Sequence, residues 1–312
     1  MKLSLQTLIL LVSVNLSAVP ALRIDDLVYK PIEFTVVDEA GIPVEDARIT
    51  ASDPGPGNLT GTTNTDGKLR LRLAAQISLT IEVNHPEFYT TRGRIWQSGM
   101  EKISTGSYQP REMPENFDVI LKRIRDPMEM VYRMYRGHAP RSDKPVGFDL
   151  LLGDWIAPHG AGKTPDLLFR FHEINIQKNA FKGSMTLTFP NEGDGIRSFI
   201  APRPHSQQYG SALAPPHKAP NDGYRPSLSY SLSQVQGQPR VDYKKPDRHY
   251  IFRSRTITDS EGRIRKACYG WILGEIEFDP RDPKGPQLAF TYHFNPDPSP
   301  NQRSLESTMY LP

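Results

Sequence analysis

The chain has a single cysteine, Cys268, among 312 residues. No intrachain disulfide can form, and stability must come from packed cores. No histidine stands near Cys268 in Arg265-Lys266-Ala267-Cys268-Tyr269-Gly270-Trp271. We therefore read it as a small buried strand residue rather than a thiol nucleophile. An excess of one charge is also lacking. The net charge of +3 is too small to argue for nucleic acid or an anionic membrane as a partner. Beyond residue 21 no apolar run approaches the length of a membrane helix. Helical periodicity is nearly absent. Apolar residues make up only 37% of the chain and proline numbers 29, which together indicate a turn-rich β protein.

Several motifs of chemistry are incomplete. His172-Glu173 begins like a zinc-protease helix, but Ile176 stands where the second histidine would be. There is no Gly-x-Ser-x-Gly elbow and no Cys/His cluster for structural zinc. The eight histidines are scattered singly. We expect no metal site and no cofactor. Gly162-Lys163-Thr164 ends like a P-loop, with Ala157 at the position of the first glycine. A P-loop needs a following helix, yet Leu167, Phe169 and Phe171 alternate with Leu168, Arg170 and His172 in a strand rhythm. The segment reads as a glycine-rich turn between two strands.

At the N-terminus Lys2, the apolar stretch Leu3–Leu16 and the small residues of Val19-Pro20-Ala21 form the pattern of a signal peptide over residues 1–21. The expected location is secreted, periplasmic or at the cell surface. From residue 23 to 125 the pattern is a sandwich. Ile32, Phe34 and Val36; Ala47, Ile49 and Ala51; Leu69, Leu71 and Leu73; Leu79, Ile81 and Val83; and Phe117, Val119 and Leu121 each alternate with polar neighbours. A further pair of strands is expected near 60–64 and 89–96, which makes seven. Glu39-Ala40-Gly41, Asp53-Pro54-Gly55 and Asp66-Gly67 supply the turns.

Within this stretch Val37-Asp38-Glu39-Ala40-Gly41-Ile42-Pro43-Val44, Ala47-Arg48-Ile49 and Thr63-Asn64-Thr65-Asp66-Gly67 resemble the carboxypeptidase regulatory-like domain. The resemblance implies a transthyretin-like, Ig-like sandwich and a non-catalytic module of secreted and surface proteins. It implies no peptidase.

Residues 126–146 read as a linker. Asp126-Pro127 with Met128, Val131, Tyr132 and Tyr135 fits a short capped helix, and Met128, Met130, Tyr132 and Met134 fit a strand. We take the segment as extended, docking two domains. Residues 147–312 form a second β-rich domain with long loops. Met185, Leu187 and Phe189, and later Leu288, Phe290, Tyr292 and Phe294, alternate cleanly, and Asp259-Ser260-Glu261-Gly262 marks a hairpin. Gly147-Phe148-Asp149-Leu150, Gly153-Asp154-Trp155 and Asn191-Glu192-Gly193-Asp194-Gly195 resemble secreted bacterial proteins of unassigned activity. Residues 199–247, rich in Pro, Ser, Gln and Tyr, are too long for an ordinary connection.

The whole chain is thus expected to be all-β, a secreted or envelope binding or structural module. Its expected partner is a polysaccharide, peptidoglycan or an envelope protein. Tyr224 and Tyr230 of the long segment, with Trp155, are the candidate ligand-binding rings, since exposed rings offer flat apolar faces to sugars or peptides. The alternative is a secreted hydrolase with an acid/imidazole site formed by Asp154, His159 and His172. Asp149, Asp154 and the Asn191–Asp194 turn also carry the oxygens that a calcium site would use, although their turn-forming chemistry explains them as well.

Overall fold

The computed structural model describes residues 29–312 except 53–56, 75–77, 98–99, 103–107, 111–113, 141–142, 178–179, 202–209 and 283. The signal-peptide expectation, the Asp53-Pro54-Gly55 turn and Tyr209 of the long segment lie outside the described residues. Nearly all regular structure among the described residues is strand. In chain order the first sandwich contains β1 (Tyr29–Asp38), β2 (Arg48–Ala51), β3 (Leu59–Thr62), β4 (Lys68–Ala74), β5 (Ser78–His85), β6 (Phe88–Gln97), the short pair β7 (Met100–Lys102) and β8 (Tyr108–Pro110), and β9 (Asn116–Leu121). One sheet runs β4-β1-β9, with β1 and β9 parallel. The facing sheet runs β6-β5-β2-β3. The alternation predicted from sequence is what closes the core. Ile32, Phe34, Val36, Ile49, Leu73, Val83, Val119 and Leu121 are all fully buried between the sheets. Leu71 is only half-buried, packed at the margin of that core.

The second sandwich contains β10 (Val131–His138), β11 (Val146–Asp149), β12 (Asp154–Trp155), β13 (Leu167–Gln177), β14 (Ala180–Thr188), β15 (Gly195–Ile200), β17 (Ser227–Gln234), β18 (Arg248–Thr258), β19 (Ile264–Asp279) and β20 (Gln287–Asn295), with β16 (Gly210–Ser211) between β15 and β17 in the chain. Its sheets run β10-β20-β19-β18-β15 and β12-β11-β13-β14-β17. Aromatic rings dominate the space between them. Phe148 meets Trp155 at 5.2 Å and Phe290 at 5.2 Å, and Trp155 meets Phe169 at 5.6 Å, in edge-to-face contacts. Each fully buried ring contributes about 1.5–3 kcal/mol through removal from water.

Two segments depart from the sequence expectation. Within residues 126–146 the chain is extended over Val131–His138, as expected, but it does more than link. β10 is a full edge strand paired with β20, from Val131 opposite Phe294 to His138 opposite Gln287. The long segment 199–247 is not a single loop. It carries β17, whose Leu228, Tyr230 and Leu232 alternate with serines and face inward, and it carries β16. Gly210 and Ser211 of β16 pair with Arg92 and Thr91 and so add a strand to the free edge of the first sandwich.

The two sandwiches are joined by a buried polar clasp. The Glu306 side chain is fully buried and accepts four hydrogen bonds. They come from the Tyr89 hydroxyl (2.9 Å), the backbone amides of Arg125 (2.9 Å) and Asp126 (3.3 Å), and Nδ1 of His217 (2.9 Å). The other ring nitrogen of His217 lies 2.8 Å from the Glu39 carboxylate, so the ring bridges two carboxylates. Lys122 donates to the carbonyls of Ala214 (3.3 Å) and Pro215 (2.9 Å). Leu213 and Ala212 cover Tyr89. Backbone bonds from Met128 N to Glu306 O and from Thr308 N to Met128 O, each 3.0 Å, run the incoming and outgoing chains side by side.

Candidate functional site

The site residues expected from sequence do not converge. Asp154 pairs with Asp149, next to Phe148, which pairs with Leu167. Asp154 therefore lies level with Asp166, and His172 stands six residues further along β13, ~20 Å away at the rise of a strand. Both Asp154 oxygens are engaged by backbone amides, Oδ1 by Trp155 and Oδ2 by Ala161, at 2.8 Å each. His159 is exposed on the turn that Asp154 holds. The acid/imidazole constellation Asp154, His159, His172 is not formed, because strand register carries His172 away from the turn and the Asp154 oxygens are taken by its amides.

The expected ligand rings are also corrected. Trp155 is buried and donates Nε1 to the Tyr135 hydroxyl at 2.7 Å. Tyr230 is buried in the core of the second sandwich, because the serines that alternate with it take the outward face. Tyr224 is half-buried, with its hydroxyl on Pro220 O at 3.0 Å and the Arg253 guanidinium 4.6 Å above its ring. None of the three presents a free aromatic face.

The P-loop-like stretch has a purely internal use. Oδ2 of Asp149 accepts the amides of Lys163 (2.9 Å) and Thr164 (3.0 Å), and Oδ1 accepts those of Leu151 (2.9 Å) and Leu152 (3.1 Å). The amides that a P-loop would offer to phosphate are thus turned onto a carboxylate of the same chain. A Cβ at Gly162 would come within 2.8 Å of the Asp154 and Trp155 carbonyl oxygens, so glycine is needed for the turn to lie on β12. Burial acts to raise the Asp149 pKa, and the four amides outweigh it, leaving the carboxyl below its usual range. Beside it Arg255 makes a bidentate pair with Asp166, both bonds 2.8 Å, and reaches Asp149 at 3.3 Å. Arg255 adopts φ +56 at a bulge of β18, which aims it inward. Asp194, the acid of the Asn191–Asp194 turn, accepts from Thr256 N and the Asn191 amide (2.8 and 2.9 Å), and burial raises its pKa. Among the described residues no group of three or more acids, histidines or cysteines is placed to hold a metal ion. Cys268 is buried, and burial pushes its thiol up to about 11.

An open site lies elsewhere, between the free edge strands β15 and β17. The two sheets touch there through a single bridge, Ile196 N to Arg225 O and Arg225 N to Ile196 O, 2.9 Å each. A cleft of ≈ 650 Å³ opens around that bridge. Arg197 and Ser198 come from β15, Arg225, Ser227 and Ser229 from the start of β17 and the residues before it, and Arg248 from β18. Tyr250 forms the floor.

Beneath the floor sits Glu275, 5% exposed. A bulge between Leu273 and Glu277, with Gly274 at φ +75, turns Glu275 toward the interior. Its Oε2 accepts the hydroxyls of Tyr230 (2.8 Å) and Tyr250 (2.7 Å), and its Oε1 accepts Arg248 Nε (2.6 Å) and Lys245 N (3.1 Å). Burial alone would raise the Glu275 pKa. Arg248 and the two tyrosines outweigh it and hold the carboxyl low. Burial also raises the pKa of both tyrosines. With four donors on two oxygens, the carboxylate has no free lone pair for a substrate, and the network is a rigid base for the cleft. The sequence carried a hint of this cleft in the Ser-x-Ser-x-Ser run of β17. Arg225 and Arg197 carried none, since their juxtaposition depends on the bridge.

No family model matches the chain, and no curated protein matches it. Among solved structures, a 3-chlorocatechol 1,2-dioxygenase from Rhodococcus opacus 1CP is 12% identical with TM-score 0.23, covering 32% of this chain and 62% of the enzyme. A protein of Bacteroides uniformis provisionally named as carbohydrate-binding is 11% identical with TM-score 0.22, covering 83% of this chain and 94% of its own. The major pilin BcpA of Bacillus cereus is 7% identical with TM-score 0.21, covering 89% and 97%. Scores of this size carry no argument about what the present chain does.

Proposed function

We propose that the protein is an extracytoplasmic binding module that holds a polysaccharide in the cleft between β15 and β17. The observation that carries this reading is the lining of that cleft: guanidinium groups and serine hydroxyls on an open rim, over a floor whose own carboxylate is saturated. Guanidinium and hydroxyl groups are the donors that the oxygens of a saccharide take. Glu275 beneath the floor has both oxygens committed to internal donors, and Asp222, the acid on the rim, faces Arg197 at 3.7 Å, which supports binding without turnover. The first sandwich is read as a carboxypeptidase regulatory-like, non-catalytic module that carries the second. Residues 1–21 are read as an export signal.

The test is affinity electrophoresis of the full chain through gels containing soluble polysaccharides. Ser229→Trp places a bulky ring in the cleft at an exposed position. Retardation by at least one polysaccharide, lost in Ser229→Trp at unchanged melting temperature, is the expected result. Equal retardation of both proteins would overturn the assignment of the cleft.

A further inference from the structure

Arginines crowd the rim of the cleft and the turn beside it. Four of them, Arg197, Arg225, Arg253 and Arg303, surround the turn 221–225. Arg253 donates to the carbonyls of Gly193 (2.6 Å) and Asn221 (3.2 Å). Arg303 donates to the side-chain oxygen of Asn221. Arg197 donates to the carbonyl of Asp222 at 3.1 Å. Arg225 has no side-chain partner among the described residues. The only ion pair recorded for these four groups, among the described residues, is Arg197 with Asp222 at 3.7 Å, and that aspartate side chain is 93% exposed. Arg248 of the same cleft, and Arg255, Arg263 and Arg281 away from it, are by contrast each held by a carboxylate at 2.9 Å or less.

Three of these guanidinium groups are held by neutral oxygens or by nothing and the fourth meets one exposed carboxylate, so the site keeps an excess of positive charge. Like charges drawn together in this way cost free energy unless an anion joins them. From this we infer that the ligand is anionic: a polysaccharide carrying carboxylate or sulfate groups, whose oxyanions take the paired donors of Arg225 and Arg197. The inference rests on the cleft reading above and names its ligand class. A single-stranded nucleic acid is disfavoured by the same geometry. Base stacking needs open aromatic faces, and here Tyr224 lies under Arg253 while Tyr230 and Tyr250 are buried.

The experiment is titration of the full chain, at low and at physiological salt, with polygalacturonate, dextran sulfate, unmodified dextran and an oligothymidylate. Binding to polygalacturonate, dextran sulfate or both, without binding to dextran, is expected, with affinity falling as salt rises. Which of the two acidic polymers binds separates carboxylate from sulfate recognition. Arg225→Ala combined with Arg197→Ala should weaken that binding ten-fold or more at unchanged melting temperature. Arg70→Glu, an exposed position of the first sandwich, changes net charge without touching the cleft and should leave it within two-fold. Equal loss in Arg70→Glu would show a mere effect of total charge and overturn the inference. So would oligothymidylate binding as tightly as the acidic polysaccharides. Dextran bound as well as dextran sulfate, and lost in Ser229→Trp but not in the double arginine variant, would also overturn it while leaving the cleft reading in place.

Discussion

Tyr89 of the first sandwich donates its hydroxyl to Glu306 at 2.9 Å, across 217 positions of the chain. Both side chains are fully buried, and Glu306 also accepts the amides of Arg125 and Asp126 and meets Nδ1 of His217. Glu306→Ala would take their acceptor from the Tyr89 hydroxyl, two backbone amides and Nδ1 of His217. Removing one side of a buried charged network costs about 3–5 kcal/mol. A chemical denaturation curve of Glu306→Ala should show a loss of that size. The transition should also broaden or split, as the two sandwiches lose their shared constraint. A single sharp transition at the wild-type midpoint would refute the coupling.

The first sandwich nevertheless owns a complete core, with every buried member between Ile32 and Leu121. A fragment of residues 23–125 should therefore melt cooperatively. Its melting temperature should lie below that of the full chain, since Tyr89 and Lys122 lose their partners and β6 loses β16. Within the fragment, Leu73→Ala should cost about 2–5 kcal/mol because Leu73 is fully buried, and Leu71→Ala distinctly less. Thermal scans by circular dichroism measure both.

Lys163→Ala should change neither stability nor any binding, because the Lys163 side chain is exposed and only its amide is used. Asp149→Ala should be severe by comparison. It strands four backbone amides and frees Arg255 from one of its two carboxylates. Unfilled buried donors cost about 1–3 kcal/mol each. Calorimetric titration with ATP and magnesium should show no heat of binding to the wild type. A micromolar dissociation constant would contradict the use of these amides by Asp149.

His293 gives a pH signature. It is fully buried, stacked on Trp271 at 4.4 Å, with Nε2 on the Tyr310 hydroxyl at 2.8 Å, and burial pushes its pKa down to about 3. In the unfolded chain a histidine titrates near about 6.5. Between those values the unfolded state binds a proton that the folded state refuses. The contribution of neutral His293 is therefore fully present above about pH 6.5 and is lost as pH falls toward about 3, with a limiting slope of about 1.4 kcal/mol per pH unit. Stability curves of wild type and His293→Phe from about pH 7 to about pH 4 should converge as pH falls, or cross. Parallel curves would show that the ring titrates normally.

Much of the architecture was written in period-two alternation. Ile32-Phe34-Val36, Leu79-Ile81-Val83 and Leu288-Phe290-Tyr292-Phe294 all face the cores that their spacing implied. The same alternation was present in Leu228, Tyr230 and Leu232, but proline and serine around it made the segment look like a loop. The expected ring-to-sugar contact failed for that reason, as Tyr230 is core. Asp154 and His172 lie close in sequence, and a strand's extended rise carries them apart. The clasp of Glu306, His217, Glu39 and Tyr89 could not be read from the chain. Its members come from four distant segments, and nothing local marks a lone Glu or His as buried. The cleft shares that character, since it exists only where two sheet edges meet.

The side-by-side backbones at Met128 and Glu306 have a mechanical consequence. Here the chain that enters the second sandwich and the chain that leaves it are bonded to each other, beside the contacts made by β16 and His217. Tension applied between Tyr29 and Tyr310 would pass along β1, through the first sandwich, and then directly across the Met128–Glu306 and Thr308–Met128 bonds. Those bonds would be loaded in shear, reinforced by Glu306, while the strands that build the cleft would lie outside the path of the force. The cleft strands would thus be shielded from strain until those bonds yield.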